Sequence, residues 1–246
     1  NKINKEIASS FFENQFTGIY IYDVTANKIV YNYNENKYFT PASNTKIFTL
    51  FTGLEFLSDS IPAFKYAVDA DTITIQGTGD PAFLHSFFKD STALKMANNY
   101  KKVNLIVNNI IDKKYAPGWA WEDFDSYFSP ERSAFPMYGN VVTLQNEKTL
   151  NVEPAVFKNE LKITDKSYGR EAFSNQFYFG KNKVGKTEIP MIIDSVLLIK
   201  LWNDLLPNRV KIVKKSKIKL SKTAYSIPSD SLFKRMMEVS DNFLAE

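Results

Sequence analysis

The chain has no cysteine among its 246 residues. Disulfides, thiolate zinc sites and a catalytic thiol are therefore excluded. Histidine is almost as scarce: His85 is the sole one. A Ser-His-Asp triad is an unpromising engine for such a chain, because its general base would have to be that one residue. A lone histidine is ordinarily a surface or packing residue, so serine chemistry here would need another base, and lysine is the natural candidate. No apolar run is long enough to span a bilayer, and neither an internal repeat nor a low-complexity linker is present. Net charge is only +4. The basic residues are dispersed among acids, which argues against a dedicated nucleic-acid binder. One exception is the cluster Lys211–Lys222. It could meet an anionic surface, but Val210, Ile212, Ile218 and Leu220 interleave with its lysines, the pattern of a solvated strand or loop.

Aromatic residues, by contrast, are abundant, at 15% with 20 Phe and 13 Tyr, and they supply a sizeable core. Residues 4–14 read as a short amphipathic helix with Ile7, Phe11 and Phe12 on its apolar face. Thr17–Asp23 and Ile29–Tyr33 read as the strands of a hairpin broken at Asn27. A helix is predicted over Ser43–Leu57, buried through Ile47, Leu50, Phe51, Leu54 and Leu57, and ended at Ile61–Pro62. Thr72–Gln76 reads as a strand leading into the tight turn Gly77-Thr-Gly-Asp-Pro81. Further strands are expected at Val103–Asn109, Val141–Leu144, Thr149–Val152, Leu161–Ile163, Gln176–Phe179, Val210–Val213 and Ile218–Leu220. Helices are expected at Ser86–Asn99, Asp194–Leu206 and Ser229–Met237. Pro117–Tyr127 is an aromatic loop.

The start of the Ser43 helix holds the pattern with most chemical content. Ser43-Asn-Thr-Lys46 is a Ser-x-x-Lys tetrad, and residues i and i+3 share a helix face. A serine hydroxyl is a poor nucleophile until a base removes its proton. Lys46 could be that base if burial and the positive helix N-terminus bring its pKa toward neutrality. A capped helix start with a solvated lysine has the same pattern, so the tetrad alone decides nothing. At the other end of the chain, Ser240-Asp241-Asn242 is a Ser-x-Asn element, which elsewhere usually marks a turn or cap. Next to a lysine, its hydroxyl could relay a proton to a leaving amine, and its amide could hold both lysine and substrate.

The two elements occur with two further blocks. Together Phe39-Thr-Pro-Ala-Ser-Asn-Thr-Lys46, Ile75-Gln-Gly-Thr-Gly-Asp-Pro81, Pro117-Gly-Trp-Ala-Trp-Glu-Asp123 and Ser240-Asp-Asn-Phe-Leu-Ala-Glu246 resemble, in order, the D-alanyl-D-alanine carboxypeptidase/endopeptidase family of penicillin-binding protein 4 (DacB-like) type. The resemblance implies an α/β (α+β) fold: a penicillin-binding transpeptidase/serine β-lactamase-like domain interrupted by a large, mostly β inserted region. Residues 1–60 with 225–246 would form the catalytic domain, and 61–224 the insertion. The resemblance also implies roles. Ser43 would be acylated, with its own N–H as one oxyanion donor, and Lys46 would be the base. Ser240 and Asn242 would assist proton transfer and positioning. The Gly-Asp-Pro and Trp-x-Trp-Glu-Asp blocks read as structural. Peptidoglycan peptides would be the substrates and β-lactams covalent inhibitors. No cofactor or metal is implied. The location would be the periplasm or cell envelope, with at most peripheral membrane contact.

The family's Lys-Thr-Gly strand, expected downstream of Ser-x-Asn, has no counterpart before Glu246. The sequence is therefore expected to be a fragment, lacking the C-terminal part of the catalytic domain and full activity. A different alignment takes Tyr138-Gly139-Asn140 as the second element, followed by Lys222-Thr223-Ala224, as in a class C-like β-lactamase or esterase. A catalytically incompetent wall-binding module is the alternative of another class, with the insertion's aromatics contacting glycan or a partner. Gly180-Lys-Asn-Lys-Val-Gly-Lys-Thr187 satisfies the P-loop pattern, although Pro190 would fall in the first turn of the helix that should follow.

Overall fold

The computed structural model describes residues 2–110 and 113–246, which divide into two compact units, 1–45 and 46–246.

In the first unit, α1 (Lys2–Ile7) is followed by a hairpin of β1 (Ile19–Asp23) and β2 (Lys28–Tyr33). The hairpin forms where the alternating Tyr/Ile pattern places it, with Ile19 opposite Tyr33. Its turn is an Asx turn: Asp23 Oδ1 accepts from the N–H groups of Thr25 and Ala26 at 3.0 and 2.9 Å, and Asn27 takes φ 51°. The expected 4–14 helix stops at Ile7, and Phe11 is exposed. Tyr31 Oη donates to Asn4 Oδ1 at 2.8 Å, tying α1 to the hairpin. The unit ends in a 3₁₀ turn, Ser43–Thr45, closed by Thr45 N–H and Oγ1 on the Ala42 carbonyl. This turn replaces the first α-helical turn predicted for Ser43–Thr45.

The second unit opens with α2 (Lys46–Phe56) and β3 (Ser60–Asp69), β4 (Thr72–Gly77), α3 (Thr92–Ala97) and β5 (Lys102–Ile106). Then come β6 (Val141–Asn146), β7 (Leu150–Glu153), β8 (Leu161–Ile163), β9 (Phe177–Phe179) and β10 (Gly185–Pro190). The chain ends with α4 (Ser195–Leu205), β11 (Val210–Ile212), β12 (Lys222–Pro228), α5 (Ser229–Val239) and α6 (Asn242–Ala245). A five-stranded mixed sheet has the order β11-β5-β4-β3-β12; β10-β6-β7 form an antiparallel sheet, and β8 and β9 a parallel pair. Phe64, Ile73, Ile75, Val103 and Leu105 from the large sheet share one core with Phe83, Phe135, Met137, Leu144 and Leu201. Trp202, fully buried, stacks on Phe83 at 5.3 Å. Asp194 caps α4 by accepting from Leu197 N–H at 2.7 Å. Among the described residues no helix is long and apolar enough to cross a membrane.

Several expected elements change. Only Thr92–Ala97 of the Ser86–Asn99 helix is helical. The reason lies upstream: Ser86 Oγ donates to Glu188 Oε1 at 2.6 Å and Phe87 N–H to His85 Nδ1 at 3.0 Å. Those side-chain bonds hold the segment as a loop. The P-loop-like stretch becomes a turn plus β10, paired along its length with β6. Thr187 lies within β10 and does not open a helix, and Lys186 pairs with Glu188 at 2.7 Å, so the phosphate-cradle geometry is not formed. Ile218–Leu220 is not a strand, whereas Lys222–Thr223–Ala224 belongs to β12.

The Gly-Asp-Pro and Trp-x-Trp-Glu-Asp blocks have structural jobs. A Cβ on Gly77 would lie 2.0 Å from the Ala134 carbonyl oxygen, so the backbone crossing there requires glycine. Gly79 takes φ +88°. Thr78 Oγ1 lies 2.5 and 2.7 Å from the Pro62 and Ala63 carbonyls. In the aromatic block, Trp121 stacks on Phe124 and tilts against Phe173.

Candidate active site

Lys46 is the first residue of α2 and is buried, with 7% of its surface exposed. Its position follows from the face of α2 that packs. Residues 46, 50 and 53 fall at i, i+4 and i+7, on one side of the helix. Leu50 packs against the cluster of Phe233, Met236, Phe243 and Leu244 from α5 and α6. A Cβ on Gly53 would lie 2.7 Å from the Phe233 ring. The glycine costs helix propensity of about 1 kcal/mol relative to alanine, and its small size lets α2 approach α5 closely. The opposite face of α2 is not buried as expected: Ile47, Phe51 and Leu54 are exposed, as is Leu57 just beyond the helix.

One partner of Lys46 comes from the far end of the sequence. Helix α5 stops at Ser240, which takes a left-handed conformation, φ 56° and ψ 38°. Asp241 then caps α6, accepting from Phe243 N–H at 2.9 Å and Leu244 N–H at 3.4 Å. With the turn set by Ser240 and Asp241, and Phe243 and Leu244 buried, Asn242 faces α2. Lys46 Nζ donates to Asn242 Oδ1 at 2.5 Å. The last turn of α5 is held from another direction, since Tyr127 Oη donates to the Val239 carbonyl at 2.9 Å. The aromatic loop thus supports the turn that carries the Ser-x-Asn element.

The electrostatics favour a lysine that gives up its proton more readily than usual. Burial pushes the Lys46 pKa down, and the nearby Asp241 carboxylate works against it. Burial raises the Asp241 pKa in turn, opposed by the two N–H groups it accepts from. The structure therefore joins Lys46 to Asn242 and places Ser240 in the intervening turn. Among the described residues Ser240 Oγ has no hydrogen-bond partner. Ser43 lies in the exposed 3₁₀ turn of the first unit. Two contributors were missed in the sequence. Asp241 was legible as a cap residue before a short helix; Tyr127 carried no signal, since its role depends on a contact 112 residues away.

The rival alignment on Tyr138-Gly139-Asn140 fails. These residues are buried in a 3₁₀ turn. Asn140 is used up locally, accepting from Met137 N–H and donating to the Glu131 carbonyl and Ser133 Oγ. Burial pushes the Tyr138 hydroxyl up to about 12, the wrong direction for a base.

Comparison with known proteins decides the family. Residues 1–175 match the D-Ala-D-Ala carboxypeptidase 3 (S13) family. The chain belongs to that family. The matched stretch includes Ser43 and Lys46 and ends before Ser240. This S13 chain is similar to a penicillin-sensitive carboxypeptidase A from Dictyostelium discoideum, 26% identical over 151 residues, covering 50% of this chain and 27% of that protein. Its fold is that of penicillin binding protein 4 (dacB) from Haemophilus influenzae, with a TM-score of 0.59 at 19% identity over 92% of this chain and 60% of that one. The S13 chain thus spans less than two thirds of either protein.

Proposed function

We propose that this chain carries the Ser-x-x-Lys and Ser-x-Asn elements of a penicillin-sensitive serine D-Ala-D-Ala carboxypeptidase/endopeptidase that acts on peptidoglycan stem peptides in the cell envelope. Residues 1–60 with 225–246 belong to the catalytic domain and 61–224 to its insertion. The observation that carries the reading is the Lys46–Asn242 hydrogen bond, made between residues 196 positions apart in sequence. A solvated lysine at a helix start has no need of such a partner. Family membership supports the reaction class.

The role of Ser43 rests on the tetrad spacing. Its Oγ attacks the carbonyl carbon of the penultimate D-Ala while Lys46 Nζ takes the hydroxyl proton. The C–N bond to the leaving amine then breaks, and that amine receives the proton through Lys46 and Ser240. Water hydrolyses the ester and frees Ser43. Asn242 holds Lys46 and offers its amide N–H to the substrate. A β-lactam enters by the same attack, its ring amide opens, and the leaving amine stays tethered to the acyl group.

The test is acylation of the full-length protein by a fluorescent penicillin. Labelling at Ser43 is expected, located by peptide mass spectrometry. Ser43→Ala should abolish labelling, and Lys46→Ala should slow it by at least about 100-fold. Labelling that survives Ser43→Ala, or no labelling of the full-length protein, overturns the assignment. Binding of peptidoglycan fragments without acylation would favour a binding module.

A further inference from the structure

Positive charge in this chain is concentrated in one place. Lys211, Lys214, Lys215, Lys217, Lys219 and Lys222 occur with no acid between Asp204 and Asp230. The chain has 31 basic residues against 27 acidic ones; setting these six aside leaves 25 against 27. All six are exposed. Among the described residues none of them is paired with a carboxylate. The neighbouring Arg209 is different, since its guanidinium is occupied by the carbonyls of Ala97, Asn98 and Tyr100.

Topology spreads these charges out. Strands β11 and β12 are the two outer strands of the five-stranded sheet. The segment 213–221 must therefore cross four strand spacings, about 19 Å. Lys211 stands at one edge, Lys222 at the other, and four lysines lie on the crossing. Cross-strand pairing adds to this array. Lys211 is opposite Asn104, and Lys65 is opposite Gln76 and Thr223, so with Lys102 they lie on the sheet face opposite Ile73, Ile75, Val103 and Leu105. Asp69 shares that face.

A lane of separated charges suits an extended anionic surface better than a single small anion. The composition narrows the partner. The cations of the strap are lysines, of which Lys222 lies over the Tyr66 ring at 6.0 Å, without the arginine forks that read phosphate bidentately on nucleic acids or phosphopeptides. Apolar side chains stand among them: Ile218, between Lys217 and Lys219, is 39% exposed, and Tyr225 on β12 is 50% exposed. Lysines with long aliphatic stems beside an exposed isoleucine and tyrosine are the composition of an interfacial lipid contact. We propose that the 211–222 strap docks this protein on the surface of an anionic phospholipid bilayer, with Ile218 entering the headgroup layer.

The proposal is independent of the acylation chemistry. Its test is co-sedimentation of the 246-residue chain with phosphatidylglycerol–phosphatidylcholine vesicles and with pure phosphatidylcholine vesicles. Partition into the anionic vesicles is expected, with none into the neutral ones, and release at about 0.5 M NaCl, where screening lengths fall to a few ångströms. Replacing Lys214, Lys215, Lys217 and Lys219 together by Gln should cut partition at least about tenfold, with an unchanged circular dichroism spectrum. Ile218→Ser should weaken it less. Equal binding to both vesicle types, no binding, or partition unaffected in the quadruple variant overturns the proposal. So does capture by an oligonucleotide or polyphosphate at a salt concentration where vesicles capture nothing.

Discussion

At Lys46 two opposing effects act on one proton. Burial at the start of α2 lowers the pKa, and Asp241 raises it. Asp241 cannot simply be discarded, because it also caps the helix that presents Asn242. Asn at a cap position accepts the same backbone N–H groups as Asp without the charge. Asp241→Asn should therefore keep the turn and move the Lys46 pKa further down. A side-chain ¹⁵N NMR titration of Lys46 measures this without requiring turnover. An unchanged or higher pKa would show that the carboxylate does not act on the lysine. Asn242→Ala should give a different signature: it removes one acceptor of the Lys46 ammonium, Asn242 Oδ1, while α6, capped by Asp241, persists.

At the scale of elements, legibility followed periodicity. The hairpin, β4, β6 to β9 and the capped helix α4 were readable because each pairs a clear apolar period with a turn or cap residue at its end. Three strands were not. Pro62 reads as a stop, yet β3 runs through it and takes the irregularity as a register shift against β12 at Tyr225. β12 begins in a lysine run, and as an outer strand it lacks the buried alternation that reveals a strand. β10 is masked by its glycine-lysine-threonine start. The Ser-x-x-Lys and Ser-x-Asn elements were legible as a pair, and two of their four residues, Lys46 and Asn242, are in contact; the αL turn at Ser240 was not foreseeable from spacing. Where elements cross, single residues decide. Gly77→Ala would drive a Cβ into the Ala134 carbonyl, an expected loss of about 3 kcal/mol in urea unfolding. Arg170, 1% exposed, donates to the carbonyls of Pro190, Glu171 and Phe124 at 2.8, 2.5 and 3.2 Å, joining the β10 end to the aromatic loop. Arg170→Met leaves these carbonyls unpaired, and about 3–5 kcal/mol should be lost. A change below about 1 kcal/mol in either variant would contradict the packing described.

For the molecule as a whole, two buried groups on one loop give its stability opposite pH dependences. His85 lies against Gly139 and Phe88, and burial lowers its pKa to about 4. Asp80, whose Oδ1 accepts from Ala82 N–H at 2.9 Å, is raised by burial to about 6. The depressed histidine contributes stability that is present above its unfolded pKa of 6.5 and is lost as pH falls toward 4. The raised aspartate contributes stability that is present below its unfolded value of 3.8 and is lost as pH rises through about 6. Each effect is on the order of 3 kcal/mol, at 1.36 kcal/mol per pKa unit. Between pH 4 and 6 they largely offset one another in the natural chain. Asp80→Asn keeps the acceptor for Ala82 N–H and removes only the titration. Its stability should therefore fall more steeply than that of the natural chain as pH drops from 7 to 4, the gap widening by roughly 3 kcal/mol in urea unfolding curves. Parallel curves for the two proteins would mean that the Asp80 carboxyl is ionised in the fold without penalty, contrary to its burial.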